Sequence, residues 1–407
     1  MIVKEEVLKM NGKISSVVLA GGGTAGHVNP LLAVADEIRR RNPDAQIKVL
    51  GTKEGLEADL VPARGYELWP VPKVPLPRKP SLAFFQLPGK LKAAVEAADQ
   101  SMAATNPQVV IGFGGYVSTP AYLAAHHRGI PIVVHEGNAR PGLANRLGAR
   151  WAKEIGLTFP GANLQGAKVV GLPLRKEIQD LVAEREEDAY AAREIGAAAL
   201  GLDPHLPTLL VSGGSSGAVS MNSAIAAAAK TFTDQGIQIL HLTGKGKKAE
   251  VDKIAGGDIP NYHVREYLAE MDQAFACADL VLTRAGAGMV CELTALGIPA
   301  IYVPLPIGNG EQRLNAAATV KAGGGIDLPD AEMTANWAQT EIPKLIKDQN
   351  KLAQMGVAAA SVGVRDGASR IVDMMEQAIS NQPAKCESQP PSDDDAAAAA
   401  VMIATSN

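Results

Sequence analysis

The stretch VVLAGGGTAGHVNPLLAVADEIRRR, residues 17–41, decides how this chain folds. An apolar run comes first, three glycines follow, and an apolar pattern with helical periodicity then begins. This order is typical of a buried strand, a tight glycine corner and a helix. Backbone amides at such a corner, together with the helix dipole, favour an anion such as a diphosphate. The stretch therefore predicts an α/β fold with a binding site at one end of its sheet.

The same pattern returns later in the chain. Residues 209–219 read LLVSGGSSGAV, and PQVVIGFGGYVSTPAYLAAHHRGIPIVVHE in the first half is matched by ADLVLTRAGAGMVCELTALGIPAIYVPLP in the second. Each long segment reads strand, glycine loop, helix, Gly-Ile-Pro and strand. Because two loops recur in the same order, the sequence predicts two Rossmann-like halves with parallel sheets, joined within VVGLPLRKEI, residues 169–178.

Length and composition agree with two domains and exclude several functions. The 407 residues, 46% of them hydrophobic, are more than one core usually organises. A net charge of −4 without a long basic arm disfavours nucleic-acid binding. Three irregularly spaced cysteines fit neither a disulfide framework nor a zinc knuckle. The few cysteines fit a reducing cytoplasm. No segment has the roughly 18 to 20 apolar residues needed to span a bilayer, which predicts a soluble or peripheral protein.

Short apolar runs at regular intervals are the candidate strands of the two sheets. They cover residues 16–20, 47–50, 109–112, 132–135, 208–212, 238–243, 280–283 and 300–304. The glycine loops after them lack the Lys-Ser/Thr ending of a P-loop, which disfavours ATP hydrolysis by that mechanism. An NAD or FAD site is also disfavoured, because Thr24 and His27 stand where the pyrophosphate would pack and no clear ribose-binding acid follows the second strand.

Seven motifs together resemble the MurG family of peptidoglycan N-acetylglucosaminyltransferases: GGGTAGHVNPLLAVA, GFGGYVSTPAYLAA, HEGNARPGLANR, GLPLR, SGGSSGAVSMN, TRAGAGMVCELTALGIPAIYVPLP and NGEQRLNA. The resemblance implies a GT-B fold, in which two Rossmann-like domains face each other across a cleft. It also implies inverting transfer of N-acetylglucosamine from UDP-N-acetylglucosamine to undecaprenyl-diphospho-N-acetylmuramoyl-pentapeptide (lipid I), giving lipid II.

This resemblance implies a domain for each substrate. Residues 1–175 form the acceptor and membrane domain, and residues 176–365 form the UDP-sugar domain. Residues 366–382 are expected to form a C-terminal helix that packs back on the first domain. Residues 383–407, which contain QPPSDDDAAAAAVMIATSN, are rich in Pro, Asp and Ala and are expected to be a disordered tail.

The donor site implied by the resemblance has a carboxylate for the ribose and an amide corner for the diphosphate. Glu292 would accept hydrogen bonds from both ribose hydroxyls. The ordinary alternative is that Glu292 is a solvated glutamate on a helix surface. Ser215 would bind the diphosphate, and Ser216 stands where the family usually has Gln. The full set of donor residues is Arg175, Ser215, Leu268, Arg284, Glu292, Glu311 and Gln312.

Five of these donor residues carry a more specific expectation. The backbone of Leu268 would recognise uracil. Arg284 would support the donor or form a structural salt bridge, and Arg175 would pair with a phosphate or fasten the domains. Glu311 and Gln312 replace a Gln-Gln pair that contacts the sugar hydroxyls. Asn315, which closes the same motif, is interpreted as a helix-surface residue.

The acceptor side is expected in the first half, with His27 as the catalytic residue. Inverting transfer needs a base for the proton of the acceptor 4-hydroxyl, and an imidazole titrates near the working pH. A packed structural histidine is the alternative for His27, and His135 at a strand end carries the same alternative. The acceptor residues are Thr24, Gly26, Tyr116, Glu136 and Asn138, with Gly137 at a position where the family commonly has Gln.

The resemblance requires no metal, because amide dipoles and basic side chains can stabilise a departing UDP and no Asp-x-Asp pair occurs in the matched motifs. The lipid-linked acceptor implies a peripheral protein on the cytoplasmic face of the bacterial membrane, with cell-wall or division proteins as further partners. The segment VPLPRKPSLAFFQLPGKLKAA, residues 74–94, is the candidate membrane contact. Its apolar and basic residues are Leu76, Leu82, Phe84, Phe85, Leu87, Arg78, Lys79, Lys90 and Lys92, and core packing of the phenylalanines is the alternative.

Two other classes of protein remain as alternatives. A different GT-B enzyme, such as a diacylglycerol glucosyltransferase or a UDP-N-acetylglucosamine 2-epimerase, would share the donor half but not GGTAGH together with HEGNARPGL. A non-catalytic sugar-nucleotide-binding subunit is disfavoured because both halves lie in one polypeptide. Turnover of the donor by the purified chain in the presence of a lipid acceptor distinguishes these classes.

Overall fold

The computed structural model describes residues 13–74, 82–214, 216–307 and 309–381, with the backbone alone for residues 82–86. These residues form two compact units. The first unit runs to Arg175 and resumes at Asp366, and the second is Lys176–Arg365. The change from the first unit to the second therefore falls inside the GLPLRKEI stretch.

The first unit is built on a parallel sheet of seven strands in the order β3-β2-β1-β4-β5-β6-β7. The strands are β1 Ser16–Ala20, β2 Gln46–Gly51, β3 Glu67–Pro70, β4 Val109–Gly112, β5 Ile132–Glu136, β6 Ala152–Leu157 and β7 Lys168–Val169. Every residue of β4 and β5 is buried, because helices cover both faces of the sheet. Its helices are α1 Ala25–Arg41, α2 Glu57–Ala63, α3 Leu82–Thr105, α4 Ser118–His127 and α5 Leu143–Gly148.

The second unit has a parallel sheet of six strands in the order β10-β9-β8-β11-β12-β13. The strands are β8 Thr208–Ser212, β9 Gln238–Leu242, β10 Tyr262–Arg265, β11 Leu280–Thr283, β12 Ala300–Tyr302 and β13 Gly325–Asp327. The helices are α6 Lys176–Leu200, α7 Val219–Thr233, α8 Lys248–Ala255, α9 Met271–Cys277, α10 Ala287–Leu296, α11 Glu311–Ala322, α12 Ala335–Lys347 and α13 Gln349–Ala360. Helix α6 is interrupted at Asp188, whose backbone is extended.

The last helix, α14 Gly367–Ser380, belongs to the first unit. Its apolar face, with Ile371 and Met375 fully buried, joins the core formed by β1, β4 and α1. Arg41 at the end of α1 also forms ion pairs with Asp373 at 2.6 Å and Glu376 at 3.2 Å. The chain thus returns to the first unit at Asp366, and helix α14 completes the core of that unit.

The repeated motifs occupy equivalent places in the two sheets. The segment β4-α4-β5 lies beside β1 in the first sheet, and β11-α10-β12 lies beside β8 in the second. All eight predicted strands exist, and the structure adds β3, β6, β7, β10 and β13. Because the strands are parallel, the glycine loops that follow β1, β4, β8 and β11 lie at the carboxyl edge of their own sheet.

Candidate active site

The first glycine corner joins β1 to α1 and seats His27 in the first turn of the helix. Thr24 is the N-cap residue, with an extended backbone, and its carbonyl oxygen accepts from the N–H groups of His27 at 3.0 Å and Val28 at 3.1 Å. Gly23 has a φ of +86°, a conformation that favours glycine. Residues 23–26 are exposed, so the corner presents its backbone to solvent.

The imidazole of His27 is held in one orientation by the corner itself. Its Nδ1 atom lies 3.0 Å from the carbonyl oxygen of Gly22 and 3.3 Å from Oγ1 of Thr24. A carbonyl oxygen only accepts hydrogen bonds, so Nδ1 carries the proton in this arrangement. The neutral ring therefore keeps its lone pair on Nε2, which is the atom that can accept a proton from a substrate hydroxyl.

The second glycine loop, between β4 and α4, packs against the same ring. Gly114 and Gly115 have φ values of +98° and +81°. A Cβ atom on Gly114 would lie 3.1 Å from Nε2 of His27, and one on Gly115 would collide with the Gly22 carbonyl group. The two loops therefore approach closely only because both positions are glycine.

Ser118 at the start of α4 ties the second loop to the end of β1. Its hydroxyl accepts from Gly114 N–H at 3.0 Å and lies 3.1 Å from the carbonyl oxygen of Ala20. Tyr116, in the same loop, is 42% exposed, and the Lys73 ammonium lies 5.8 Å from its ring centroid. Tyr116 is thus presented to solvent beside the glycine corner, as a substrate contact requires.

Glu136 organises the HEGN loop that follows β5. Its buried carboxylate accepts from the backbone N–H groups of Asn138 and Gly142, both at 2.9 Å, and from Nδ2 of Asn145 at 3.0 Å. Burial raises the pKa of Glu136, although these donors and nearby His27 favour the charged form. Glu136 therefore fixes the loop. Asn138 is half-buried and so is more exposed to solvent than the buried Glu136.

The HEGN loop adjoins the first glycine corner. A Cβ atom on Gly137 would meet the carbonyl oxygen of Gly26 and Cδ1 of Leu172 at 3.9 Å, which are ordinary contact distances, so a Cβ atom fits at this position. His135 just before it is buried, and its Nε2 lies 3.0 Å from the Gly171 carbonyl oxygen. Burial lowers the pKa of His135 to about 4. His135 is a neutral packed histidine, which was its ordinary alternative.

A cavity of about 250 Å³ opens beside the glycine corner in the first unit. Its lining combines backbone of the corner, the loop after β2, and charged and aromatic side chains: Gly22, Gly23, Thr52, Glu54, Gly55, Leu56, Asp59, Lys73, Tyr116 and Val117. Of the predicted acceptor residues, Tyr116 lines this cavity, whereas Thr24, Gly26, His27, Glu136 and Asn138 do not; all six lie at the carboxyl edge of the first sheet. Sequence reasoning missed the contribution of the loop after β2.

The first loop of the second unit follows β8. Ser215 lies outside the described residues, so its predicted role stays a prediction. The carbonyl oxygen of Ser216 accepts from Nζ of Lys247 at 2.6 Å. Gly217, with a φ of +66°, leaves no room for a Cβ atom against the Thr243 carbonyl group. Nδ2 of Asn222 on α7 donates to that same carbonyl at 2.8 Å, which joins the start of α7 to the loop after β9.

Arg284 braces the carboxyl edge of the second sheet. Its Nη1 donates to the carbonyl oxygens of Val303 at 3.0 Å and Pro304 at 3.2 Å, and lies 2.6 Å from the carboxylate of Asp330. Ser220 on α7 donates to the same carboxylate oxygen at 2.6 Å. The structural salt bridge predicted as an alternative for Arg284 is therefore formed.

The remaining donor candidates of the second unit lie on its loops and helices. Glu292 is half-buried on α10, and Leu268 is buried in the loop after β10. Gln312 accepts the Leu305 N–H at 2.9 Å, and Glu311 begins α11. Arg175 is the last residue of the first unit before Lys176.

Asn315 was wrongly interpreted as a helix-surface residue. It is 1% exposed, and its Nδ2 donates to the Ala285 carbonyl oxygen at 3.2 Å. An amide side chain at this position holds the AGAG loop against α11, because the loop carbonyl would otherwise be buried without that donor. Asn315 thus positions the AGAG loop through a buried hydrogen bond.

The proposed membrane segment is only partly described. Leu76, Arg78 and Lys79 lie outside the described residues, and so do the side chains of Leu82, Phe84 and Phe85. Leu87 is 3% exposed and packs in the core with Leu91, so its predicted contact with lipid is wrong. Lys90 and Lys92 are exposed on α3. Among the helices of the described residues, none is long and apolar enough to cross a bilayer.

Within the described residues, no three or more His, Cys, Asp or Glu side chains are grouped so as to hold a metal ion.

Comparison with known proteins identifies the family. Residues 17–157 match the glycosyltransferase family 28 N-terminal domain, and residues 208–371 match the family 28 C-terminal domain. Two relatives carry the name UDP-N-acetylglucosamine–N-acetylmuramyl-(pentapeptide) pyrophosphoryl-undecaprenol N-acetylglucosamine transferase. The relative from Clavibacter sepedonicus is 51% identical over 90% of this chain and 98% of its own length. The one from Streptomyces avermitilis is 49% identical over 89% and 98%.

Solved structures agree with this match. MurG of Acinetobacter baumannii has a TM-score of 0.70 at 26% identity, over 89% of this chain and 99% of that chain. A UDP-GlcNAc 2-epimerase from Neisseria meningitidis, at 14% identity and a TM-score of 0.65 over 89% and 100%, shares the fold. The chain has two α/β units, each with a parallel sheet and glycine loops at the carboxyl edge of that sheet. Together with these matches, this architecture defines a glycosyltransferase of the GT-B class. The chain belongs to glycosyltransferase family 28.

Proposed function

We propose that this chain transfers N-acetylglucosamine from UDP-N-acetylglucosamine to lipid I with inversion, giving lipid II. Relatives at about half identity over nearly their whole length carry this activity in their names. The observation on which the mechanism rests is the hydrogen bond from Nδ1 of His27 to the Gly22 carbonyl oxygen, which leaves Nε2 as a proton acceptor.

The reaction then balances as a single displacement. The 4-hydroxyl oxygen of the acceptor sugar forms a bond to the anomeric carbon of N-acetylglucosamine, and the bond from that carbon to the UDP oxygen breaks. The hydroxyl proton goes to Nε2 of His27, and the electron pair of the broken bond leaves on the diphosphate. Attack from the face opposite to UDP inverts the anomeric centre. His27 contributes at the point where charge develops on the attacking oxygen.

On the acceptor side, the residues around His27 supply contacts and shape. Thr24, Gly26 and Tyr116 are exposed at the glycine loops, and Asn138 extends from the loop that Glu136 holds. The cavity beside the corner adds Lys73, Glu54 and Asp59. Lys73 can pair with an anionic group of the acceptor, and the carboxylates of Glu54 and Asp59 can accept hydrogen bonds from hydroxyl or amide groups.

On the donor side, Glu292 accepts the ribose hydroxyls, and the backbone at Leu268 contacts uracil. Glu311 and Gln312 face the sugar hydroxyls, and Ser215 with the amides of its corner binds the diphosphate. Arg284 acts through the loops that it holds. Arg175 pairs with a phosphate or fastens the two units. Departure of UDP is stabilised by amide dipoles and basic side chains, without a metal or another cofactor.

The acceptor is lipid-linked, so the chain works as a peripheral protein on the cytoplasmic face of the bacterial membrane. Exposed Lys90 and Lys92 on α3 suit anionic lipid headgroups. Cell-wall or division proteins are the further partners that we propose, and nucleic acid is not among them.

The test is turnover by the purified full chain. With UDP-N-acetylglucosamine and a lipid I analogue, it should release UDP and form a disaccharide whose new anomeric centre is inverted, as measured by NMR. A matched reaction without the acceptor distinguishes the alternatives. Donor epimerisation in that reaction would identify an epimerase, and binding of UDP without turnover in either reaction would identify a non-catalytic subunit.

A further inference from the structure

Glu57, the first residue of α2, is a fully buried carboxylate that the proposed reaction does not use. We propose that Glu57 is a positioning residue for His27, because it fixes the glycine corner whose Gly22 carbonyl holds the imidazole. The inference rests on the proposed function, in which His27 is the base.

The carboxylate joins two loops of the first unit. Oε2 accepts from the Gly23 N–H at 2.9 Å, and Oε1 accepts from both the N–H and the hydroxyl of Thr52 at 2.9 and 2.7 Å. Burial alone would raise the pKa of Glu57, but the N–H groups of Gly23 and Thr52 hold it below its ordinary value. The side chain is therefore an ionised brace between the first glycine corner and the end of β2.

Three glycines make the space for this carboxylate. A Cβ atom on Gly22, Gly51 or Gly55 would collide with the side chain of Glu57. Gly22 lies in the first glycine corner, Gly51 ends β2 and Gly55 lies in the loop after β2, so the close fit extends to either side of Glu57.

The brace reaches His27 through one residue. The N–H group of Gly23 donates to Glu57. The residue before it is Gly22, whose carbonyl oxygen lies 3.0 Å from Nδ1 of His27. Gly115 packs against that carbonyl from the other side. A small rotation of the Gly22 peptide would break the bond that sets the tautomer, and catalytic rates depend steeply on such placement. Glu57 has no contact with the reacting atoms in this scheme, so its action is indirect.

Chemistry explains why a carboxylate is needed here. Both carboxylate oxygens of Glu57 accept hydrogen bonds, so a side chain at this position needs an acceptor atom at both places. Glutamine has nearly the same shape, but one of its two terminal atoms is an NH₂ donor. In either amide orientation, Glu57→Gln would place that donor against an N–H group.

The experiment compares Glu57→Gln with variants that disturb the same brace differently. Gly55→Ala keeps the carboxylate, but its new Cβ atom would displace the Glu57 side chain. Thr52→Val removes the hydroxyl that donates to Oε1 of Glu57. Glu37→Gln is the matched control, because Glu37 is a carboxylate on α1 with 11% of its side chain exposed, and it is bonded to Arg40 and Arg41 rather than to the glycine corner. Each variant is measured for kcat, for the KM of UDP-N-acetylglucosamine, for thermal unfolding, and for the His27 tautomer by ¹⁵N NMR.

We expect Glu57→Gln and Gly55→Ala to lower kcat by about 10- to 100-fold, with donor KM within about twofold, because donor contacts belong to the second unit. Thr52→Val should give a smaller loss in the same direction. The Nδ1–H signal of His27 should weaken in all three variants and persist in Glu37→Gln. Thermal unfolding selects folded samples, and if Glu57→Gln does not fold, the other two variants decide.

Folded brace variants with kcat and the His27 signal unchanged would overturn the proposal, and so would an equal kcat loss in Glu37→Gln. The NMR signal needs no turnover. If the unmodified chain forms no product, the proposed function fails, while loss of the Nδ1–H signal in the brace variants still supports the positioning role and its persistence still refutes it.

Discussion

The Nδ1 atom of His27 lies 3.0 Å from the carbonyl oxygen of Gly22, five residues earlier in the chain. Because the carbonyl accepts and Nδ1 donates, the folded backbone decides which ring nitrogen is available for chemistry. The glycine corner therefore has two roles. It exposes amide groups at the start of α1, and it fixes the orientation of the histidine that we propose as the base.

The second glycine loop should be essential for that orientation. In Gly115→Ala, the new Cβ atom would collide with the Gly22 carbonyl and approach Nδ1 of His27 at 3.3 Å. We expect kcat to fall by at least about tenfold, since a misplaced base transfers protons poorly. Steady-state kinetics with a lipid I analogue measures this effect.

Gly129→Ala is the control for Gly115→Ala. Gly129 also has a positive φ, +63°, but a Cβ atom there would meet no heavy atom within 4 Å. It should lose about 1 kcal/mol of stability or more through backbone strain without a selective loss of kcat. Equal kcat in the two variants, on folded samples, would show that contact with the His27 corner does not matter.

Glu292 should determine affinity for the donor. Glu292→Ala removes the shared acceptor of two ribose hydroxyls, a loss on the order of 2 to 4 kcal/mol. The KM for UDP-N-acetylglucosamine should rise accordingly, by about 30-fold or more. Glu341→Ala, which removes an exposed glutamate paired with Lys344 on α12, should leave it unchanged. An unchanged donor KM in Glu292→Ala would remove this residue from the site.

Turnover should survive chelation. The matched motifs contain no Asp-x-Asp pair, and we propose that amide groups at the corner after β8 carry the diphosphate. Activity of EDTA-treated protein in metal-free buffer should therefore stay within about twofold of the untreated enzyme. Complete loss that magnesium restores would contradict this expectation.

Buried His135 should make the first unit sensitive to acid. Burial lowers its pKa from 6.5 to about 4, so between these values the unfolded chain binds a proton that the folded chain does not. The free energy of unfolding should then fall as the pH drops through this window, by up to about 1.4 kcal/mol for each unit. His135→Gln removes the titrating ring, and urea unfolding between about pH 7 and pH 5 should show a shallower dependence. An identical dependence in both proteins would refute this assignment.

The sequence predicted the central strands well because they are buried on both faces. Residues 16–20, 109–112, 208–212 and 280–283 were predicted with the bounds of β1, β4, β8 and β11. The missed strands β3, β7, β10 and β13 lie at sheet edges, where polar residues interrupt the apolar run. Strand β6, with the sequence AKEIGL, has charged residues at its second and third positions and gives no such signal either.

Site residues were predictable where a motif carried them and not where tertiary contacts did. His27 and Tyr116 follow recognisable glycine loops. Glu57 lies in the unremarkable segment GLEADL, and its role depends on glycines from two separate loops. Asn315 and Leu87 were misplaced for the same reason, because periodicity does not reveal which neighbour covers a helix face.

The proposed mechanism assigns the acceptor chemistry to the first unit and the donor contacts to the second, and His27→Ala separates the two. The measurement is a pair on the same folded sample: turnover with a lipid I analogue, and UDP binding by calorimetry. We predict that kcat falls by about 10²- to 10⁴-fold while the Kd for UDP stays within about twofold. Normal turnover in His27→Ala would contradict the account, and so would a collapse of UDP binding together with turnover.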